Sequence, residues 1–167
     1  MDISTTIIGL ILLTLFVLPV FYAVKKGSAS NKEILANFRA EAAKHGMNVT
    51  IHEQWNNRVI GLDQSNHKLL YSKTNEKHPK MILVDLTKVK KCETSEVNRQ
   101  KKSANGGMEK VIDSIHLAFT FHDSKQAEVK LEIFDASNDL SLDGEVQLTE
   151  KWAKLLQPQT IPVRKSA

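Results

Sequence analysis

The chain has a single cysteine in 167 residues, which excludes an internal disulfide framework and any zinc site built on two to four thiolates. Seven glycines and four prolines are too few for a collagen-like or low-complexity chain. Aromatic residues make up 6% and are not interleaved with the basic ones, so no stacking platform for nucleic acid is expected. Lys and Arg number 23 against 19 Asp and Glu, a formal charge of +4 that excludes a strongly basic tail.

Catalytic and cofactor signatures are equally sparse. No glycine-rich phosphate motif is present, and Asn105-Gly106-Gly107 reads as a loop. His52-Glu53 lacks the second histidine of a zinc-protease helix. His116 and His122 share a strand face but stand about 20 Å apart at about 3.3 Å per residue, too far for one metal. Lys90 and Lys91 would favour a thiolate at Cys92, yet no histidine is near it in sequence, so an inert thiol is expected. The expectation is a chain with no catalytic residue, no cofactor and no metal.

What the sequence does have is one long apolar run. Residues 7–24 carry no charge, and Tyr22, Lys25 and Lys26 follow in the order a headgroup boundary favours. With residues 3–6 the run reaches the roughly 30 Å of a hydrocarbon core. A cleaved secretory signal is the competing reading, but its positive leader is missing. The expectation is a single-pass signal-anchor over 1–26, with the excess of Lys and Arg after it placing the large domain in the cytoplasm.

Residues 27–47 read as a linker and an amphipathic helix. Ser30-Asn31-Lys32-Glu33 has the form of a capping box, Ile34, Leu35, Phe38 and Ala42 recur at helical spacing, and Gly46 stops the helix. After Gly46 the period changes to two. Strands are expected near 49–55, 59–63, 68–73, 81–86 (as a buried strand) and 89–94, with a charged loop over 95–109. Val111, Ile115, Leu117, Phe119 and Phe121 then mark a half-buried strand, and Val129, Leu131 and Ile133 its hairpin partner. Residues 144–157 form a helix whose Leu148, Trp152, Leu155 and Leu156 share one face, and 158–167 is a tail.

Seven strands and a closing helix, with Trp152 inside Thr149-Glu150-Lys151-Trp152-Ala153-Lys154-Leu155-Leu156, resemble the pleckstrin-homology-like family over 48–157. The resemblance implies a mainly β chain with flanking helices, an α+β class in which a seven-stranded antiparallel barrel is closed by Leu148, Trp152, Leu155 and Leu156. It also implies basic residues around the first hairpin loop in phosphoinositide-binding members. Here that loop is Asn56-Asn57-Arg58, with a single Arg, so no headgroup-binding residue is carried over.

The basic cluster lies elsewhere, at Lys77, Lys80, Lys88, Lys90, Lys91, Arg99, Lys101 and Lys102. These residues are candidates for contact with an anionic surface, or else guards of a sheet edge. The functional expectation is a membrane-anchored, non-catalytic binding or scaffolding module. Its partners would be the lipid bilayer and a protein or peptide, with no nucleic acid and no metal. The alternative is an inner-leaflet anionic-lipid sensor using the Lys-rich loops.

Overall fold

The computed structural model describes residues 13–15, 17, 31–74, 79–102 and 106–157. A helix over 31–44 (α1) leads into β1 (Ile51–Trp55), β2 (Arg58–Asp63), β3 (Lys68–Thr74) and β4 (Pro79–Asp85). A 3-10 turn at Leu86–Lys88 passes the chain to β5 (Val89–Lys102), β6 (Met108–Phe121) and β7 (Val129–Asp135), and α2 (Glu145–Leu156) follows. Strands β1 to β4 form one antiparallel meander and β5 to β7 a second, each in sequence order.

Local chemistry sets the turns. Asn56 and Asn57 alone join β1 to β2, so Trp55 sits opposite Arg58, and Asn56 takes the positive φ of 46° that two-residue hairpins require and Asn tolerates. The β2–β3 loop is organised by Asp63, whose carboxylate accepts the N–H of Asn48 at 2.7 Å and that of Asn66 at 3.0 Å. Burial opposes its charge, but the hydrogen bonds from Asn66 and Asn48 win and hold the Asp63 carboxyl below its usual range.

Every residue of β2 is buried because both faces of the strand are covered. Ile60 and Leu62 join Leu69, Tyr71, Leu117, Phe119, Leu131 and Ile133 in the core between the sheets. Val59 and, on β3, Leu70 face the other way, against Ile34, Phe38 and Ala42 of α1. The helix comes close because position 61 has no side chain: a Cβ on Gly61 would lie 2.7 Å from the Phe38 ring. Helix α2 packs on β5, β6 and β7 with Trp152 and Leu156 fully buried, while Leu148 and Leu155 lie half-buried beside them. Trp152 also donates its indole N–H to Glu53 on β1 at 2.7 Å, so the helix bridges the two sheets.

Four expectations are corrected. The pleckstrin-homology-like closed barrel is absent. Among the described residues no ladder joins the four-stranded sheet to the three-stranded one, since each strand pairs only with its sequence neighbours. Leu148, Trp152, Leu155 and Leu156 therefore cover a gap between two open sheets and do not plug a barrel. The charged loop over 95–109 is in large part strand, because β5 continues to Lys102 and β6 begins at Met108. β4 is an edge strand with Leu83 41% exposed, where a buried strand was expected.

The fourth correction concerns the anchor. Among the described residues no helix is long and apolar enough to cross a membrane. Spanning takes about 20 consecutive apolar helical residues, and of the run 7–24 only 13–15 and 17 are described, as helix. The rest of that run, with Tyr22, Lys25 and Lys26, lies outside the described residues, as does the tail over 158–167. The single-pass membrane placement, and the cytoplasmic orientation that followed from it, are therefore withdrawn.

Candidate functional site

The basic residues singled out in the sequence do not converge. Lys77 lies outside the described residues. Lys80 opens β4, Lys88 sits in the turn at its far end, and Lys90 and Lys91 open β5. Arg99, Lys101 and Lys102 stand at the other end of β5, about 30 Å along the strand from Lys91. Several are already paired: Lys88 with Asp85 at 3.5 Å, Lys91 with Glu93 at 2.5 Å and Arg99 with Asp113 at 3.1 Å. Cys92 faces the core at 2% exposure, and burial pushes its thiol up to about 12, which leaves it protonated. Among the described residues no group of His, Cys, Asp and Glu is placed to hold a metal.

A polar concave surface lies elsewhere, where the β1–β2 turn faces the loop entering α2. Two adjoining cavities of about 400 and 300 Å³ share Trp55, Asp143 and Glu145. Asn56, Asn57, Asp139, Leu140 and Ser141 line the first, and Glu53, Gln54 and Leu148 the second. Among the described residues no Lys or Arg lines either one. Leu140 is fully exposed at the rim.

The loop is shaped by its own carboxylates. Asp135 accepts the hydroxyl of Ser137 at 2.6 Å, the N–H of Ser137 at 2.9 Å and the amide of Asn138 at 2.6 Å, which closes a turn and holds the Asp135 carboxyl below its usual range. Asp139 returns to accept the N–H of Asp135 at 2.8 Å. Gly144, at φ 88°, then lets the chain enter α2. Glu145, 4% exposed in the first turn, accepts the N–H of Asp143 at 2.5 Å and the amide of Asn56 at 3.3 Å. That ties the loop to the first hairpin and sets a carboxylate at the positive end of the helix.

Beneath the cleft is a buried ion network. Arg58, with no exposed surface, donates Nη1 and Nη2 to the two oxygens of Asp139 at 2.9 and 3.0 Å, and Nη2 to Glu132 at 2.6 Å. Lys73, directly across from Arg58 on β3, reaches Glu132 at 2.5 Å. Burial alone would lower the Arg58 pKa, but the hydrogen bonds to Asp139 and Glu132 outweigh it and raise it. Burial likewise opposes the charge of Glu132, and Lys73 and Arg58 overcome that and hold its carboxyl low. Burial raises the Tyr71 pKa, and its hydroxyl donates to the Glu132 carbonyl at 2.5 Å. Trp55 donates its indole N–H to the Ile133 carbonyl at 2.9 Å, which fixes the ring as the cleft wall.

None of Trp55, Asn56, Asp139, Asp143 and Glu145 stands out in the sequence as a site. The available signals are the Asn-Asn hairpin turn and the run of Asp and Gly between β7 and α2, and both read first as turn chemistry. Compared with protein-family models, with curated proteins and with solved structures, the chain shows no match.

Proposed function

We propose that the chain is a non-catalytic binding module whose ligand is a positively charged segment of a partner protein, seated in the cleft between the β1–β2 turn and the entry to α2. The observation that carries this reading is the lining itself: an aromatic wall, four carboxylates and no cation. Two of those carboxylates have cationic partners, Asp139 in Arg58 and Glu53 in Lys151. Among the described residues Asp143 and Glu145 form no ion pair; Glu145 is buried with both oxygens hydrogen-bonded, and the exposed Asp143 gives the cleft negative charge to offer. A Lys or Arg side chain over the Trp55 ring gains roughly 0.5–2 kcal/mol from the ring alone, and Leu140 and Leu148 offer apolar contact beside it. Among the described residues no histidine or cysteine lines the cleft beside Ser141, which supports the non-catalytic reading.

The test is an NMR titration of the full chain with a ten-residue peptide of alternating Arg and Leu, read at the indole N–H signals of Trp55 and Trp152. Saturable movement of the Trp55 signal, weakened at least fivefold by Asp143→Asn with Glu145→Gln, supports the assignment. An unmoved Trp55 signal, or binding indifferent to those substitutions, overturns it.

A further inference from the structure

β5 is the outer strand of its sheet: β6 pairs with one side of it, and among the described residues no strand pairs with the other. From Lys91 to Lys102 it advances one residue per pair, and the extra residue at the irregularity near Val97 is Asp113 on β6. The backbone groups of alternate residues therefore point outward along an unbroken edge about 36 Å long. Edge strands of that length normally carry a bulge, a proline or evenly spread lysines to block pairing. Here the lysines sit at the ends, at 90, 91, 101 and 102, and the stretch between them holds Glu93, Glu96, Arg99 and the exposed Val97.

Cys92 points into the core, so Glu93, Ser95, Val97, Arg99 and Lys101 lie on the opposite, outer face. When an antiparallel strand pairs with its own copy about a two-fold axis, one residue must stand opposite itself. With Val97 on the axis, Glu93 stands opposite Lys101 of the second copy, twice by symmetry. Ser95 then meets Arg99, Glu96 meets Asn98 and Thr94 meets Gln100, and no like charges oppose. With the axis on Glu96, Glu96 opposes Glu96 and Lys91 opposes Lys101. On Ser95, Lys91 opposes Arg99, and on Arg99 the guanidinium opposes itself. On Asn98 no ion pair forms and Val97 faces Arg99.

We propose that two copies of the chain join edge to edge along β5, with Val97 on the two-fold axis and Glu93 paired to Lys101 of the second copy, to make one continuous six-stranded sheet. The partner surface is thus a second copy of this chain, chosen by charge register, and the assignment is independent of the cleft. An extended segment of another protein is the competing occupant of the same edge, and it would not show the symmetry below.

Sedimentation equilibrium of the full chain and its variants tests this, with circular dichroism checking that each variant folds. The wild type is expected to dimerise. Lys101→Glu and Glu93→Lys, each placing like charges opposite one another twice, weaken the dimer at least tenfold, and the two together restore it. Val97→Cys gives an oxidised, disulfide-linked dimer, because opposed Cα atoms about 4.5–5.5 Å apart are within disulfide reach, while Glu93→Cys alone does not. A monomer at all concentrations, a dimer indifferent to the single reversals, or equal cross-linking at 93 and 97 overturns the proposal.

Discussion

Arg58 and Asp139, 81 positions apart, meet as a two-point pair in which each terminal guanidinium nitrogen donates to one carboxylate oxygen. Arg58 begins β2 in the first sheet and Asp139 follows β7 in the second, so the pair fastens one sheet to the loop leaving the other. Removing one member of a buried pair leaves an uncompensated charge, at roughly 3–5 kcal/mol. Asp139→Ala is therefore expected to lower stability by about that amount in urea denaturation. Arg58→Met combined with Asp139→Leu recovers much of the loss, because an apolar replacement of both partners avoids the stranded charge.

Acid should act through the same network. Glu132 is held below its ordinary value of 4.5, and Asp63 and Asp135 below 3.8. The unfolded chain therefore binds more protons than the folded one across this range, and stability rises with pH until the unfolded carboxyls are ionised. Their contribution is complete above about pH 5 and is lost as pH falls through the lowered folded values. Thermal melts at pH 6 and pH 3 should show a clear drop at pH 3. For Glu132→Gln the drop is smaller.

Gly61 is the point of contact between α1 and the first sheet. A methyl group there meets the Phe38 ring and the Val49 side chain at under 3 Å, so Gly61→Ala must push the helix outward. Overpacking of this kind costs about 1–3 kcal/mol. The measured loss should shrink when Phe38→Leu is added, and a double-mutant cycle reads that coupling directly.

Trp152 is buried at 1% exposure and donates to Glu53, whereas Leu148 is only partly covered. Trp152→Ala should therefore cost about 3–5 kcal/mol, against distinctly less for Leu148→Ala. Trp152→Phe keeps most of the volume but removes the indole donor to Glu53, which retains its ion pair with Lys151, and falls between them. Chemical denaturation of the three variants ranks them.

Where burial imposes a period, the sequence pattern matches the elements. Ile115, Leu117, Phe119 and Phe121 alternate because one face of β6 meets the core, and the amphipathic pattern over 31–45 corresponds to α1 over 31–44. The outer halves of β5 and β6 have no such signal. β7 pairs with β6 only from Ser114 to Phe119, and in the hairpin beyond, Gln100, Lys101, Lys102, Glu109 and Lys110 are exposed while Val111 and Ile112 are only half-buried, so no clean alternation appears. β4 misleads in the opposite sense, since its apolar run borders the core on one side and solvent on the other. The Arg58 network was illegible for a different reason. Its partners lie 74 and 81 positions away, and no local spacing announces a contact made only when two sheets meet.

The order of pairing bears on how the chain folds. Every strand pairs with a neighbour in sequence, so each sheet assembles from local hairpins, and the distant contacts are confined to the joint between them: Trp55 to Ile133, Arg58 to Asp139, Glu53 to Trp152. During synthesis the first meander is complete before the second has been made. Until that second half arrives, Ile60, Leu62, Leu69 and Tyr71 present an uncovered apolar face, which is the surface on which nascent chains aggregate or engage chaperones. A chain released before β6 and β7 would carry that face permanently, and the Arg58–Asp139 pair can close only once the loop after β7 has been made.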